Sequence, residues 1–187
     1  SNIPELLVLA PTSVEEYLSM LRWSLKQREN PVAILIPSTE LCHATGAVRE
    51  NFSLPAHYEI VRCGGEAAIL APGDMQALGK KTAAVLEEKY GICPTLMNPG
   101  VVSDLDEALL RDLRNEHRAV LVLEDGLLSG GFGAKVAGFY ADSSMKVLLR
   151  GLPKAFYDRY RISSLLKAQG MTPEQLAESV VNALGKN

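Results

Sequence analysis

Between residues 119 and 133 the chain passes through an apolar run, an acidic pair and a cluster of glycines, and few folds can use that order. Ala119-Val-Leu-Val-Leu123 reads as a buried strand. Glu124 and Asp125 end it. After a short loop, Gly130-Gly131-Phe132-Gly133 opens a helix that carries Phe132, Val136 and Phe139/Tyr140 on one face. A strand, an acidic tip and a glycine-rich helix start form the site-building corner of an α/β sheet. Three glycines over four positions indicate close backbone approach, either to a ligand or to a partner chain.

The flanking sequence repeats the alternation. Leu6-Leu-Val-Leu-Ala10 reads as a strand, and Thr12 and Ser13 start a helix with Glu15 and Glu16 as capping-box partners. Val14, Leu18, Leu21 and Leu25 recur at helical spacing and predict one buried face. Val32 to Ile36 predicts a second buried strand, which completes a βαβ unit. Periodicity is lost around residues 41–57, which read as a connector. Tyr58 to Arg62 predicts an edge strand, and Gly64-Gly65 predicts a hairpin into Ala67–Ala71. Helices follow with Met75, Leu78, Val85 and Leu86 inward, and with Leu109, Leu110 and Leu113 inward behind caps at Ser103 and Asp106. Lys89 and Gly91 mark the end of the first of these. Ile92–Met97 and Met145–Leu149 are further strands. Thr172-Pro173-Glu174-Gln175 starts a last helix with a buried stripe of Leu176, Val180 and Leu184. Strands alternating with helices predict an α/β fold: three layers, α/β/α, around a mixed, mostly parallel five-stranded sheet, preceded by the βαβ remnant.

Composition removes several classes of function. The net charge of −3 and the lack of any basic run argue against nucleic acid or an anionic membrane as partner. No apolar stretch reaches the roughly 18 residues of a membrane span. Cys42, Cys63 and Cys93 are odd in number and lack paired spacing, so they read as buried thiols in a reducing cytoplasm rather than as disulfides or zinc ligands.

The candidate chemistry is sparse. A phosphate site at the glycine corner would need a glycine or alanine where Val136 stands, or a following Gly-Lys-Ser/Thr, and the neighbouring carboxylates repel phosphate. Tight packing against a neighbour is the better reading. Glu124 and Asp125 read as a solvated pair at a strand tip, with acid/base work as the alternative. His117 reads as an exposed partner of a helix C-terminus, and Arg159, Tyr160 and Arg161 as a solvated face. His43 beside Cys42 lacks a third partner for nucleophilic chemistry. No metal-ligand spacing appears.

The order of elements resembles the C-terminal end of transketolase-class, thiamine-diphosphate-dependent enzymes. Pro4 to Leu18 looks like the last βα unit of that family's pyrimidine-binding domain, and Pro31 to Pro37 like its final strand. Ala68-Ile-Leu-Ala-Pro-Gly73-Asp-Met is similar to the opening strand and turn of its C-terminal domain. Leu105-Asp106, then Glu124-Asp125-Gly126 with Gly130-Gly131-Phe132-Gly133, then Gly151-Leu152-Pro153-Lys154-Ala155-Phe156, follow in the family's order. Within the class, the Asn98-Pro99-Gly100 run and the Gly-Leu-Pro segment are most like the 1-deoxy-D-xylulose-5-phosphate synthase family, which condenses pyruvate with glyceraldehyde 3-phosphate and releases CO₂. The family's two phosphate-gripping arginines fall at Leu35-Ile36-Pro37-Ser38 and near Gly100, and neither is an arginine here.

The resemblance implies residues 1–40 as the end of a pyrimidine-binding domain, 41–57 as linker and 58–187 as a transketolase-like C-terminal domain. It implies thiamine diphosphate and Mg²⁺ bound by upstream domains and no cofactor, metal or catalytic residue in this stretch. The stretch alone is then inactive. It also implies a homodimer acting on small-molecule substrates in the cytoplasm. Glu124, Asp125, Gly130, Gly131, Phe132 and Gly133 are then candidates for a dimer interface or an active-site wall. A transketolase, the beta subunit of a 2-oxo-acid dehydrogenase, and a free-standing nucleotide-binding regulatory domain are the alternatives.

Overall fold

The computed structural model describes residues 3–36, 42–156 and 161–186. The first unit is β1 (Leu7–Leu9), α1 (Val14–Lys26) and β2 (Val32–Ile34), with β1 and β2 paired in parallel, Leu7 opposite Val32. The main sheet holds β3 (Glu59–Arg62), β4 (Glu66–Leu70), β5 (Thr95–Asn98), β6 (His117–Leu127) and β7 (Lys146–Leu152) in the order β3-β5-β4-β6-β7. Edge strand β3 is antiparallel to β5, and every other pairing is parallel.

Two apolar layers follow from the period of two along the strands. Ala68, Leu70, Val120 and Val122 face one side, against α3 (Glu107–Asp112), α4 (Phe132–Phe139) and the first unit. Ala67, Ile69, Ala119, Leu121 and Leu123 face the other, against α2 (Met75–Tyr90) and α6 (Pro173–Leu184). This is the expected α/β/α arrangement, with a short additional helix α5 (Ile162–Ala168). Helix α6 starts with a full capping box on Thr172 and Gln175. Helix α2 ends on Gly91 in the left-handed conformation. No helix among the described residues is long and apolar enough to cross a membrane.

Backbone bonds tie the first unit to the main sheet. Ala10 N–H donates to Gly100 O at 2.8 Å and Val102 N–H to Val8 O at 2.9 Å. Val8 N–H donates to the Ser103 hydroxyl at 3.0 Å. The connector has no regular structure over the described residues 43–57, yet it plants Phe52 and Ala56 in the shared core.

Several expectations are corrected. Leu18, Leu21 and Leu25 are exposed, and α1 buries Glu16, Ser19 and Met20 instead, with Trp23 packed on the core. A two-stranded sheet is too narrow to cover a second side of the helix. For the same reason β2 is only half-buried and Leu35 and Ile36 are exposed. Gly64-Gly65 makes no hairpin. The chain crosses the start of β5, where Gly65 N–H donates to Cys93 O and a Cβ on Gly64 would strike Cys93 O. Ser103 holds β1 rather than capping α3, which Asp106 caps through Leu109 N–H. His117 is buried in β6 between the Thr95 hydroxyl and the Leu113 carbonyl, because the strand begins two residues earlier than its apolar run. All three cysteines are exposed, since each lies outside the apolar periodicity. Arg161 is exposed as expected, and positions 159 and 160 lie outside the described residues.

Candidate functional site

Strands β4 and β6 are neighbours, but the helices that follow them, α2 and α4, lie on opposite faces of the sheet. A crevice therefore opens beyond their C-terminal tips, the usual ligand position in an open α/β sheet. Here it is a cleft of about 380 Å³, closed on its far side by the ends of β1 and β2.

The acidic pair lies inside strand β6, at a break in its register with β7 between Leu123 and Leu127. Glu124 is not solvated as the sequence reading had it. It is buried, and its two oxygens accept from Phe132 N–H at 3.1 Å and Gly133 N–H at 2.5 Å. The carboxylate thus serves the unpaired amides at the start of α4, whose own N-cap residue, Gly131, has no side chain to do so. Burial raises the Glu124 pKa, and the two amide bonds only partly offset it. Gly133 is required by space, because a Cβ there would lie 2.6 Å from Glu124 Oε1 and 2.8 Å from Leu149 Cδ2. Gly130 is required by backbone, with φ of +79°.

Asp125 stands at the cleft mouth, where desolvation raises its pKa. Across from it, Asp74 follows β4 at the start of α2. Desolvation and the nearby Asp125 charge push its carboxyl up to about 6. The remaining wall is mostly apolar, and Phe132 sets its ring edge-on to Tyr58. Lys135 is committed, donating to Ser103 O at 2.5 Å.

Of the six residues singled out in the sequence, Glu124, Asp125, Gly130, Gly131 and Phe132 line the cleft together, while Gly133 packs behind Glu124. Asp74 escaped the sequence reading. Its signal was Pro72-Gly73-Asp74 directly after a buried strand, a second strand-to-helix corner of the same kind. Asp74 and Asp125 thus bring two carboxyls with raised pKa values to one cleft. Among the described residues no three or more His, Cys, Asp or Glu side chains are grouped to hold a metal ion.

Residues 56–176 match the family described as transketolase, C-terminal domain. The chain belongs to that family. Among curated relatives it is similar to the 1-deoxy-D-xylulose-5-phosphate synthases of Shouchella clausii (strain KSM-K16), at 32% identity over 190 residues, and of Synechococcus sp. (strain CC9605), at 34% over 183. These alignments cover 98% and 96% of this chain but only 29% and 28% of the relatives, so the chain spans less than a third of their length. Among solved structures it resembles a split-gene transketolase described as an inactive beta4 tetramer. The TM-score there is 0.81 at 22% identity, covering 98% of this chain and 59% of that one. A transketolase mutant from Pichia stipitis gives a TM-score of 0.73 at 18% identity, covering 100% of this chain and 27% of that one. The structural likenesses show the fold. This transketolase C-terminal domain is preceded by the βαβ unit, which the longer alignments also cover.

Proposed function

We propose that this chain serves as the C-terminal structural and dimerisation module of a thiamine-diphosphate-dependent enzyme of the 1-deoxy-D-xylulose-5-phosphate synthase type. The enzyme would join pyruvate to glyceraldehyde 3-phosphate with loss of CO₂. The observation that carries the reading is the first unit. Two short parallel strands and one helix leave Leu18, Leu21, Leu25, Leu35 and Ile36 in solvent. So small a sheet does not stand alone, and its bare apolar side calls for the rest of a larger domain. In this reading residues 1–40 close a pyrimidine-binding domain, 41–57 link, and 58–187 form the C-terminal domain. Glu124 fixes the glycine corner as a rigid wall at a homodimer contact or an active-site entrance.

The residues present do not fit the cofactor itself. The cleft offers a diphosphate only the carboxyls of Asp74, Asp125 and Glu124, and its lysine is tied to Ser103 O. Thiamine diphosphate and Mg²⁺ are accordingly assigned to other parts of the enzyme. Among the described residues near Gly100, no arginine is left free to clamp the acceptor phosphate. Arg49 lies against Gly100, but its two terminal nitrogens donate to the carbonyls of His57, Pro99 and Asn98. Three exposed free thiols suit a reducing cytoplasm.

The test follows CO₂ release from pyruvate by the chain combined with its upstream domains, with thiamine diphosphate and Mg²⁺ present. Release that depends on glyceraldehyde 3-phosphate is the expected result. Turnover of a ketose phosphate without pyruvate decarboxylation would assign transketolase activity instead. Saturable thiamine-diphosphate binding by the 187-residue chain alone, measured by calorimetry, would overturn the assignment of the cofactor to other domains.

A further inference from the structure

A second cleft, of about 410 Å³, lies on the other side of the α2 N-terminus. It is bounded by the start of α1, the connector, β3, the end of β5 and the first two turns of α2. Its rim carries Glu59 and Asp74 as well as Lys80 and Arg49, the last held by the His57, Pro99 and Asn98 carbonyls. Its floor is polar and buried, with Glu16, Gln76 and Asn98 exposed by only 2%, 6% and 1%. Two groups there lack partners: Gln76 Oε1 and Asn98 Oδ1 are buried without any hydrogen bond.

Asn98 cannot be turned over to remove the problem. Its Nδ2 donates to both oxygens of Glu16, at 3.1 and 3.3 Å, and the opposite orientation would set an oxygen against a carboxylate. Its Oδ1 is therefore an acceptor waiting for a donor. Glu16 is unusual in a second way. Its partners are the Thr12 N–H, the Thr12 hydroxyl and the Asn98 amide, all neutral. No ion pair among the described residues involves it. Buried carboxylates are ordinarily matched by a cation, and buried carbonyl oxygens by a donor.

We propose that this cleft binds a small molecule through a protonated primary amine, held by Asn98 Oδ1 and Gln76 Oε1 and neutralised by Glu16. An alkylammonium group has three N–H donors and one positive charge, which answers both deficits at once. A water molecule or an alcohol satisfies the acceptors and leaves the charge. The volume suits a metabolite-sized ligand rather than a bare ion. This site meets the glycine-corner cleft only at Gly73 and Asp74 and stands whether or not the synthase assignment holds.

The test is an NMR titration of the ¹⁵N-labelled 187-residue chain, following the side-chain amide signals of Asn98 and Gln76. Ethylammonium chloride is the probe, with potassium chloride and ethanol at equal concentration alongside. Saturable shifts with ethylammonium alone are expected. Gln76→Leu should weaken binding about tenfold, as loss of one hydrogen bond to a charged group does, and Gln76→Glu should tighten it. Absence of a saturable shift, or an equal response to ethanol, overturns the proposal. A saturable response to potassium reassigns the cleft to an inorganic cation and overturns it equally. The unsubstituted chain alone decides the matter if the variants fail to fold.

Discussion

Gly64 and Gly65 are adjacent, yet replacing each by alanine should have very unequal consequences. A Cβ on Gly64 would lie 2.6 Å from Pro94 C and 2.7 Å from Cys93 C, and closer still to Cys93 O. All three are backbone atoms with no rotamer to change, so β5 itself must move away. That movement disturbs the Gly65 N–H to Cys93 O bond of 2.9 Å and both bonds between Gly64 and the Thr95 hydroxyl, at 3.1 and 2.9 Å. Overpacking costs about 1–3 kcal/mol. Three weakened hydrogen bonds at about 0.5–1 kcal/mol each bring the loss to about 2.5–6 kcal/mol. For a chain of this size that lowers Tm by about 5–20 °C. Gly65 has open space where its Cβ would stand and needs no left-handed backbone, so Gly65→Ala should leave Tm within a few degrees. Thermal unfolding followed by circular dichroism measures both. Equal losses would refute the reasoning, because a two-residue hairpin turn would make both glycines necessary through their φ angles.

Three further outcomes are expected. Asp74 has a folded-state pKa raised from 3.8 to about 6, so its favourable contribution is complete below about pH 4 and is lost as pH rises through 6. Asp74→Asn should therefore raise the urea midpoint at pH 7.5 and change it little at pH 4; no gain at pH 7.5 would contradict the assignment. Glu15 is held down near 2 by the Ala44 N–H and the His43 ring, so this contact should persist above about pH 4.5 and release as pH falls toward 2. The Ala44 amide shift should follow that titration, and Glu15→Gln should abolish it. Tyr140 is buried and donates to Leu110 O at 2.6 Å, so Tyr140→Phe should cost about 1–2 kcal/mol in chemical denaturation, where an unchanged midpoint would show that the carbonyl finds another donor.

The architecture was legible because the apolar runs and their punctuation agree. Leu7–Leu9 and Val32–Ile34 pair in parallel as a βαβ unit must, β3 is an edge strand, and α6 begins at its capping box. The misreadings occur where a local pattern has two geometric uses. Glycine pairs serve tight turns and close approaches alike, and only the approach of Cys93 decides for Gly64. The leucine stripe of α1 is genuine but exposed among the described residues, so periodicity identified an apolar face and not a buried one. At the corner the residues themselves could be singled out. Their roles could not, because Glu124 acts through two amides eight and nine positions later. The Glu16–Asn98 contact, 82 positions apart, leaves no trace in spacing at all.

The three bonds between β1 and residues 100–103 have a mechanical meaning. Opening the glycine-corner cleft like a jaw would require shearing the Ala10–Gly100, Val102–Val8 and Val8–Ser103 contacts together, all aligned along one strand. Shear loads such bonds in parallel rather than one at a time, so the end of β1 and residues 100–103 behave as one piece, and that wall of the cleft is carried by the main sheet rather than by the first unit alone.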